Sequence, residues 1–120
     1  MAILITSAEC DRGRVGIPVF RDLERALKRK GTAFRVVVKS RPLAARQYAR
    51  LLGMPGSVIG DPSGMSLGRL NTDIVPSLVV LDRRGIVSLS LEPLPLREGA
   101  IDEVVSRINA AVSPLQPAVR

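Results

Sequence analysis

Cysteine is the most reactive side chain available here, and the chain has one, Cys10. As a thiolate it can attack a disulfide sulfur, or it can be oxidised to sulfenic acid. There is no histidine among the 120 residues. A His-based triad, a His general base and a Cys/His zinc site are therefore excluded for this chain alone. A single cysteine also forbids an intramolecular disulfide, so any redox cycle must pass through an external thiol. The neighbours of Cys10 pull in two directions. A place at a helix N-terminus, together with Arg12 and Arg14, favours the thiolate. Glu9 and Asp11 oppose it by like-charge repulsion. The other carboxylates offer less. Asp61-Pro-Ser-Gly64 and Asp82-Arg-Arg-Gly85 read as turns, and no ligand cluster accompanies them, so no metal is expected. Met54 and Met65 read as loop and core fillers.

Charge supplies a second clue. Eighteen Lys and Arg against eleven Asp and Glu give a net +7. The excess sits in residues 1–50, where twelve basic residues face four acidic ones; residues 51–120 carry six and seven. A basic half suits an anionic partner such as an acidic protein surface, anionic lipid or nucleic acid. The plainer reading is a solvated, Arg-rich helix face. Single-stranded nucleic-acid binders interleave stacking aromatics with their basic residues. Phe20, Phe34 and Tyr48 are the only aromatics, which argues against that partner.

The elements that must hold these residues follow from periodicity. At 46% apolar and 24% charged, the composition is that of one globular domain with an aliphatic core. Ala2 to Ser7 reads as a buried strand. Val15, Val19, Leu23 and Leu27 at i, i+4 spacing, with Phe20 beside them, predict a helix over Val15 to Lys30 that Gly31 stops and Pro18 bends. Ala33 to Lys39 is a second strand. Ser40 is placed to cap a helix through Leu52, with Pro42 in its first turn; Ala44, Tyr48, Leu51 and Leu52 face inward and Gly53 ends it. Residues 54–71 read as loop, with an extended piece at Ser57 to Ile59 and one helical turn at Met65 to Leu70. Ser77 to Leu81 and Ile86 to Leu91 form a hairpin around Asp82 to Gly85. Glu98 to Val112 is an amphipathic helix with Ile101, Val104, Val105, Ile108 and Val112 on one side, and residues 113–120 are a tail. The order β-α-β-α-(β)-β-β-α implies an α/β fold in three layers, α/β/α, with a mixed sheet.

That order and three local features resemble the thioredoxin-like superfamily, closest to the TlpA-like thiol-disulfide oxidoreductase branch; the methylamine-utilisation accessory proteins are similar. Ser7-Ala-Glu-Cys10-Asp-Arg-Gly13 lies between the first strand and first helix, where the family keeps its C-x-x-C motif, with Pro18 eight residues on. Ile74-Val-Pro-Ser-Leu-Val-Val-Leu-Asp-Arg-Arg-Gly-Ile-Val87 resembles the branch's cis-proline signature, which places Pro76 opposite the active-site sulfur. Ala49 to Asp61 resembles the segment inserted before it. The resemblance covers residues 2–112. The chain departs from the pattern at Gly13, where the resolving cysteine would stand. It departs again at Glu9, in place of an aromatic, and at Gly16, where many members carry glutamate; the N-terminal hairpin is missing.

The resemblance implies a single-cysteine thiol-disulfide oxidoreductase or redox accessory protein. Cys10 would be the nucleophile, Val75 and Pro76 a wall that docks an extended peptide, and Arg12 and Arg14 electrostatic tuners. No cofactor is implied. The partner would be a protein thiol or disulfide, or glutathione. Ser7-x-x-Cys10 also fits the peroxiredoxin core, but Ile3 stands where that family wants proline. The alternative from another class is a redox-inactive binding or assembly module that docks an acidic or extended partner. No apolar run approaches the ~20 residues needed to span a bilayer, and Met1-Ala-Ile-Leu-Ile is too short for a signal. The expected setting is a minimal domain of the bacterial cytoplasm, or of the periplasm if an N-terminal anchor or signal has been removed.

Overall fold

The computed structural model describes residues 1–54, 57–70, 74–97 and 99–112. The tail at 113–120, the start of the last helix at Glu98 and the side chain of Val112 lie outside the described residues. The elements run β1 (Ala2–Thr6), α1 (Asp11–Val15), α2 (Ile17–Arg29), β2 (Phe34–Val38), α3 (Pro42–Leu52), β3 (Val58–Gly60), α4 (Met65–Arg69), β4 (Ser77–Leu81), β5 (Val87–Leu91) and α5 (Ala100–Val112).

One five-stranded sheet, in the order β3-β2-β1-β4-β5, organises them. β1 pairs parallel with β2, and β2 with β3. β4 runs antiparallel to β1, and β5 to β4. The β4–β5 turn forms as its residues dictate. The Asp82 carboxylate accepts the N–H groups of Arg84 and Ile86, at 2.8 and 3.1 Å. Gly85 takes φ +79°, a conformation that costs a side-chain-free residue least.

The larger core lies on one face of the sheet. Leu4, Val36 and Val80 meet Phe20, Leu23 and Leu27 of α2, Tyr48 and Leu52 of α3, and Val104 and Ile108 of α5 there. Ile5 and Val79 form a smaller core on the opposite face, packed with Val37, Leu81, Leu70 just past α4, and Val75. The layers are thus α/β/α, with one outer layer much thinner than the other.

Three local expectations are corrected. The first helix begins at Asp11, four residues earlier than its apolar spacing suggests, and breaks at Gly16. Pro18 has no N–H to give the Arg14 carbonyl in a continuous helix, so a new helix starts with Pro18 in its first turn. A Cβ at Gly16 would stand 2.5 Å from Phe20 Cζ and 2.9 Å from the Arg12 carbonyl oxygen, which fixes the break to that residue. The change of register turns Val15 out, 72% exposed. Ser40 does not cap α3: Arg41 holds that position without a side-chain bond, and Ser40 is used elsewhere. The buried face of α3 is Ala45, Tyr48, Ala49 and Leu52, not Ala44 and Leu51. Packing of α3 beside β3 rotates the face by about one residue.

The corrected face has a direct readout. Leu52 is 3% exposed and Leu51 59%. In urea unfolding, Leu52→Ala should cost about 2–4 kcal/mol by cavity formation, and Leu51→Ala no more than about 0.5 kcal/mol.

Candidate functional site

Cys10 lies four residues past the carboxyl end of β1, as the N-cap of α1, with extended backbone (φ −88°, ψ 134°). Its side chain is half-buried and its thiol is free. Its carbonyl accepts the Arg14 N–H at 3.2 Å. Of the two arginines expected beside it, Arg14 reaches Asp11 at 2.9 Å. Both partners are largely exposed, so the pair contributes little to stability. It does neutralise one of the acids that flank the thiol. Arg12 is exposed.

The residue before the thiol is fixed in place. Glu9 Oε2 accepts the Ser40 hydroxyl at 2.6 Å and the Ser7 hydroxyl at 3.1 Å. Ser40 Oγ in turn accepts the Ala8 N–H at 2.9 Å. These bonds tie the Cys10 loop to the turn between β2 and α3. The Ser40 bond, with help from Ser7 and the Arg41 charge and against some desolvation, holds the Glu9 carboxyl below its ordinary pKa. Glu9 therefore stays ionised beside the thiol. Only folding reveals this bridge, because Ser40 is 31 residues from Glu9.

Below Cys10 the helix is pressed onto the sheet. Gly13 is buried. A Cβ there would fall inside the contact distance of the Ser7 carbonyl oxygen and 2.8 Å from Thr6 Oγ1. The Gly13 carbonyl accepts a short hydrogen bond from the Tyr48 hydroxyl of α3. Tyr48 spends its one proton on that bond, so Thr6 Oγ1, 3.3 Å away, donates to Tyr48. Tyr48 is 2% exposed. Burial, reinforced by the charge at Cys10 and opposed by the Thr6 bond, pushes its pKa up to about 12. The thiol and the phenol thus stand within electrostatic reach of each other. A buried tyrosine needs a partner for its hydroxyl; in the sequence, that requirement is the only sign of this network.

Val75 and Pro76 arrive from the other side. Ile5 pairs with Ser77 across the β1–β4 ladder, so Pro76 falls one step beyond, level with Thr6. This puts Pro76 at the same end of the sheet as the Cys10 loop. The Val75–Pro76 peptide bond is cis, as is Glu92–Pro93. The Ser77 hydroxyl donates to the Ile74 carbonyl, and the Leu94 N–H to the Pro76 carbonyl at 2.9 Å. Val75 packs against the smaller core.

The fold is shared with solved structures. A candidate thiol:disulfide interchange protein DsbE from Chlorobium tepidum superimposes with a TM-score of 0.76 at 20% identity, over 92% of this chain and 77% of that one. The chain has a thioredoxin-like fold. A secreted disulfide oxidoreductase of Mycobacterium tuberculosis, homologous to E. coli DsbE, gives 0.70 at 14% identity, over 91% and 79%. StoA from Bacillus subtilis gives 0.67 at 10%, over 88% and 78%. By sequence, no family model and no curated protein matches. Among the described residues of this thioredoxin-like chain, no group of His, Cys, Asp and Glu could hold a metal, and no helix is long and apolar enough to cross a membrane.

Two measurements test this geometry. Gly13→Cys and Gly13→Ala should both lose about 1–3 kcal/mol in urea unfolding, because the clash is at Cβ whatever follows it. Gly13→Cys should keep two titratable thiols under mild oxidation in the folded state. Tyr48 is the only tyrosine, and there is no tryptophan, so tyrosinate absorbance reports it alone. Its midpoint should lie at about 12. Cys10→Ser, which removes the thiolate, should lower it. Since the folded value is raised above that of the unfolded chain, this contribution to stability is complete below pH ~10 and fades as pH rises through ~12.

Proposed function

We propose that the protein is a monothiol that exchanges disulfides through Cys10. The reading is supported chiefly by the place of Cys10: a half-buried free thiol on the N-cap residue of α1, just past the carboxyl end of β1, in a thioredoxin-like fold whose Pro76 segment lies at the same end of the sheet. The Cys10 thiolate attacks a partner's disulfide. A bond forms between Cys10 and one partner sulfur, and the other partner sulfur leaves as a thiolate. With no second cysteine in the chain, the mixed disulfide is resolved from outside. A glutathione or protein thiolate attacks the partner sulfur, forms a new disulfide with it and expels Cys10 as the thiolate. Val75 and Pro76 dock the partner's extended backbone, and Arg12 and Arg14 tune the charge around the thiol.

A second reading draws on the packing at Gly13, which leaves no room for a resolving sulfur, and on the basic first half. It is a redox-inactive module that docks an acidic or extended partner.

Glutathione disulfide separates the two. Under the exchange reading, the folded protein acquires one glutathione at Cys10, about tenfold or more faster than the same chain unfolded in urea, and Cys10→Ser acquires none. Folded protein that reacts no faster than unfolded chain sinks the exchange reading and leaves the docking module.

A further inference from the structure

Helix α3 and the edge strand β3 enclose a groove that the thiol chemistry does not use. Its volume is about 550 Å³, within the usual range of ligand-binding clefts. Ala45 and Ala49 from α3, and Val58 and Gly60 from β3, line its apolar part. Their small size gives the groove depth: a Cβ on Gly60 would lie 3.5 Å from the Ala45 Cβ, in ordinary contact. Arg46 and Arg50, one helical turn apart, complete the lining from the same side of α3.

Two features point to an occupant. Both guanidinium groups are exposed, and among the described residues neither forms an ion pair. Among the described residues, no carboxylate lines the groove. The acid next to Gly60 in sequence, Asp61, accepts the Met65 N–H at 3.3 Å. The second feature is the strand. β3 ends the sheet and pairs only with β2, so the backbone groups along its outer edge have no strand partner among the described residues.

We propose that this groove takes an extended, acidic segment of a partner polypeptide, paired to the outer edge of β3 as a sixth strand. Strand periodicity turns alternate side chains of such a segment toward α3. There they lay their methylene stems on Ala45 and Ala49 and bring carboxylates to Arg46 and Arg50. Main-chain pairing supplies affinity, and the groove supplies the preference for acidic residues. The surplus of basic residues in the first half of the chain draws acidic segments toward this edge. The inference goes beyond disulfide exchange and does not depend on Cys10.

The test uses the full chain carrying Cys10→Ser, so that no thiol reaction contributes. The probe is a fluorescent octapeptide of alternating Glu and Val, blocked at both ends, with the same peptide carrying Lys in place of Glu as control. The Glu peptide should bind and the Lys peptide should not. Arg46→Glu with Arg50→Glu should weaken binding roughly tenfold or more. Both positions are exposed, so the fold should be kept, which circular dichroism checks. Gly60→Val, which fills the groove from β3, should weaken it as well. Amide exchange at residues 58–60 should slow when the Glu peptide is bound. The proposal is overturned if the Glu peptide fails to bind, if Lys and Glu peptides bind alike, or if the double arginine variant binds as before. It is equally overturned if binding leaves residues 58–60 unprotected, or if protection there rises with protein concentration alone, which would make the occupant a second copy. Glutathione transfer to Cys10 in the otherwise unchanged chain is read separately, so failure of one idea leaves the other standing.

Discussion

The contact between Gly13 and the end of β1 governs the site. With no Cβ, α1 descends until its backbone meets Ser7 and Thr6. That close approach brings the Gly13 carbonyl within reach of the Tyr48 hydroxyl, and Thr6 completes the chain of bonds. One strand and two helices are thereby fixed directly beneath Cys10. Any side chain at position 13 would lift α1, unpair a buried phenol and shift the loop that carries the thiol. Leaving a buried polar group unsatisfied costs about 1–3 kcal/mol on its own.

The same packing bears on the surroundings of the thiol. At position 13 the space a Cβ would need is taken by the Ser7 carbonyl and Thr6 Oγ1. The loop above is held by a different device. Glu9, bonded to Ser7 and Ser40, fixes the residue before the thiol and keeps a negative charge beside it. Asp11 is paired with Arg14 instead. The two acids that look equivalent in sequence have separate roles: one is a tether and the other half of an exposed ion pair.

Most of the fold was legible because it rests on short-range patterns. The β-branched and aliphatic runs at Ala2 to Thr6, Phe34 to Val38 and Ser77 to Leu81 are strands. Gly31 and Gly53 stop their helices at positive φ, and the Asp82 to Gly85 turn joins a hairpin. Two of the details that spacing misses have a common cause. Whereas the break at Gly16 follows from Pro18 and Phe20 close by, the face of α3 and the use of Ser40 are settled by neighbours distant in sequence, β3 and the Cys10 loop. Propensity and spacing do not encode such neighbours.

By itself the sequence determined the inventory: one thiol, no imidazole, a basic first half, a glycine where a second sulfur would stand, and the order of strands and helices. Composition and local periodicity are properties of the chain and survive without a fold. The tertiary structure decided which residues meet. It joined Thr6, Gly13 and Tyr48 into one bonded set, attached Glu9 to Ser40, brought Pro76 level with Thr6, and opened a groove beneath Arg46 and Arg50 at the edge of the sheet. Those meetings depend on strand register and helix docking. Both are set by burial of the whole core rather than by any local run of residues.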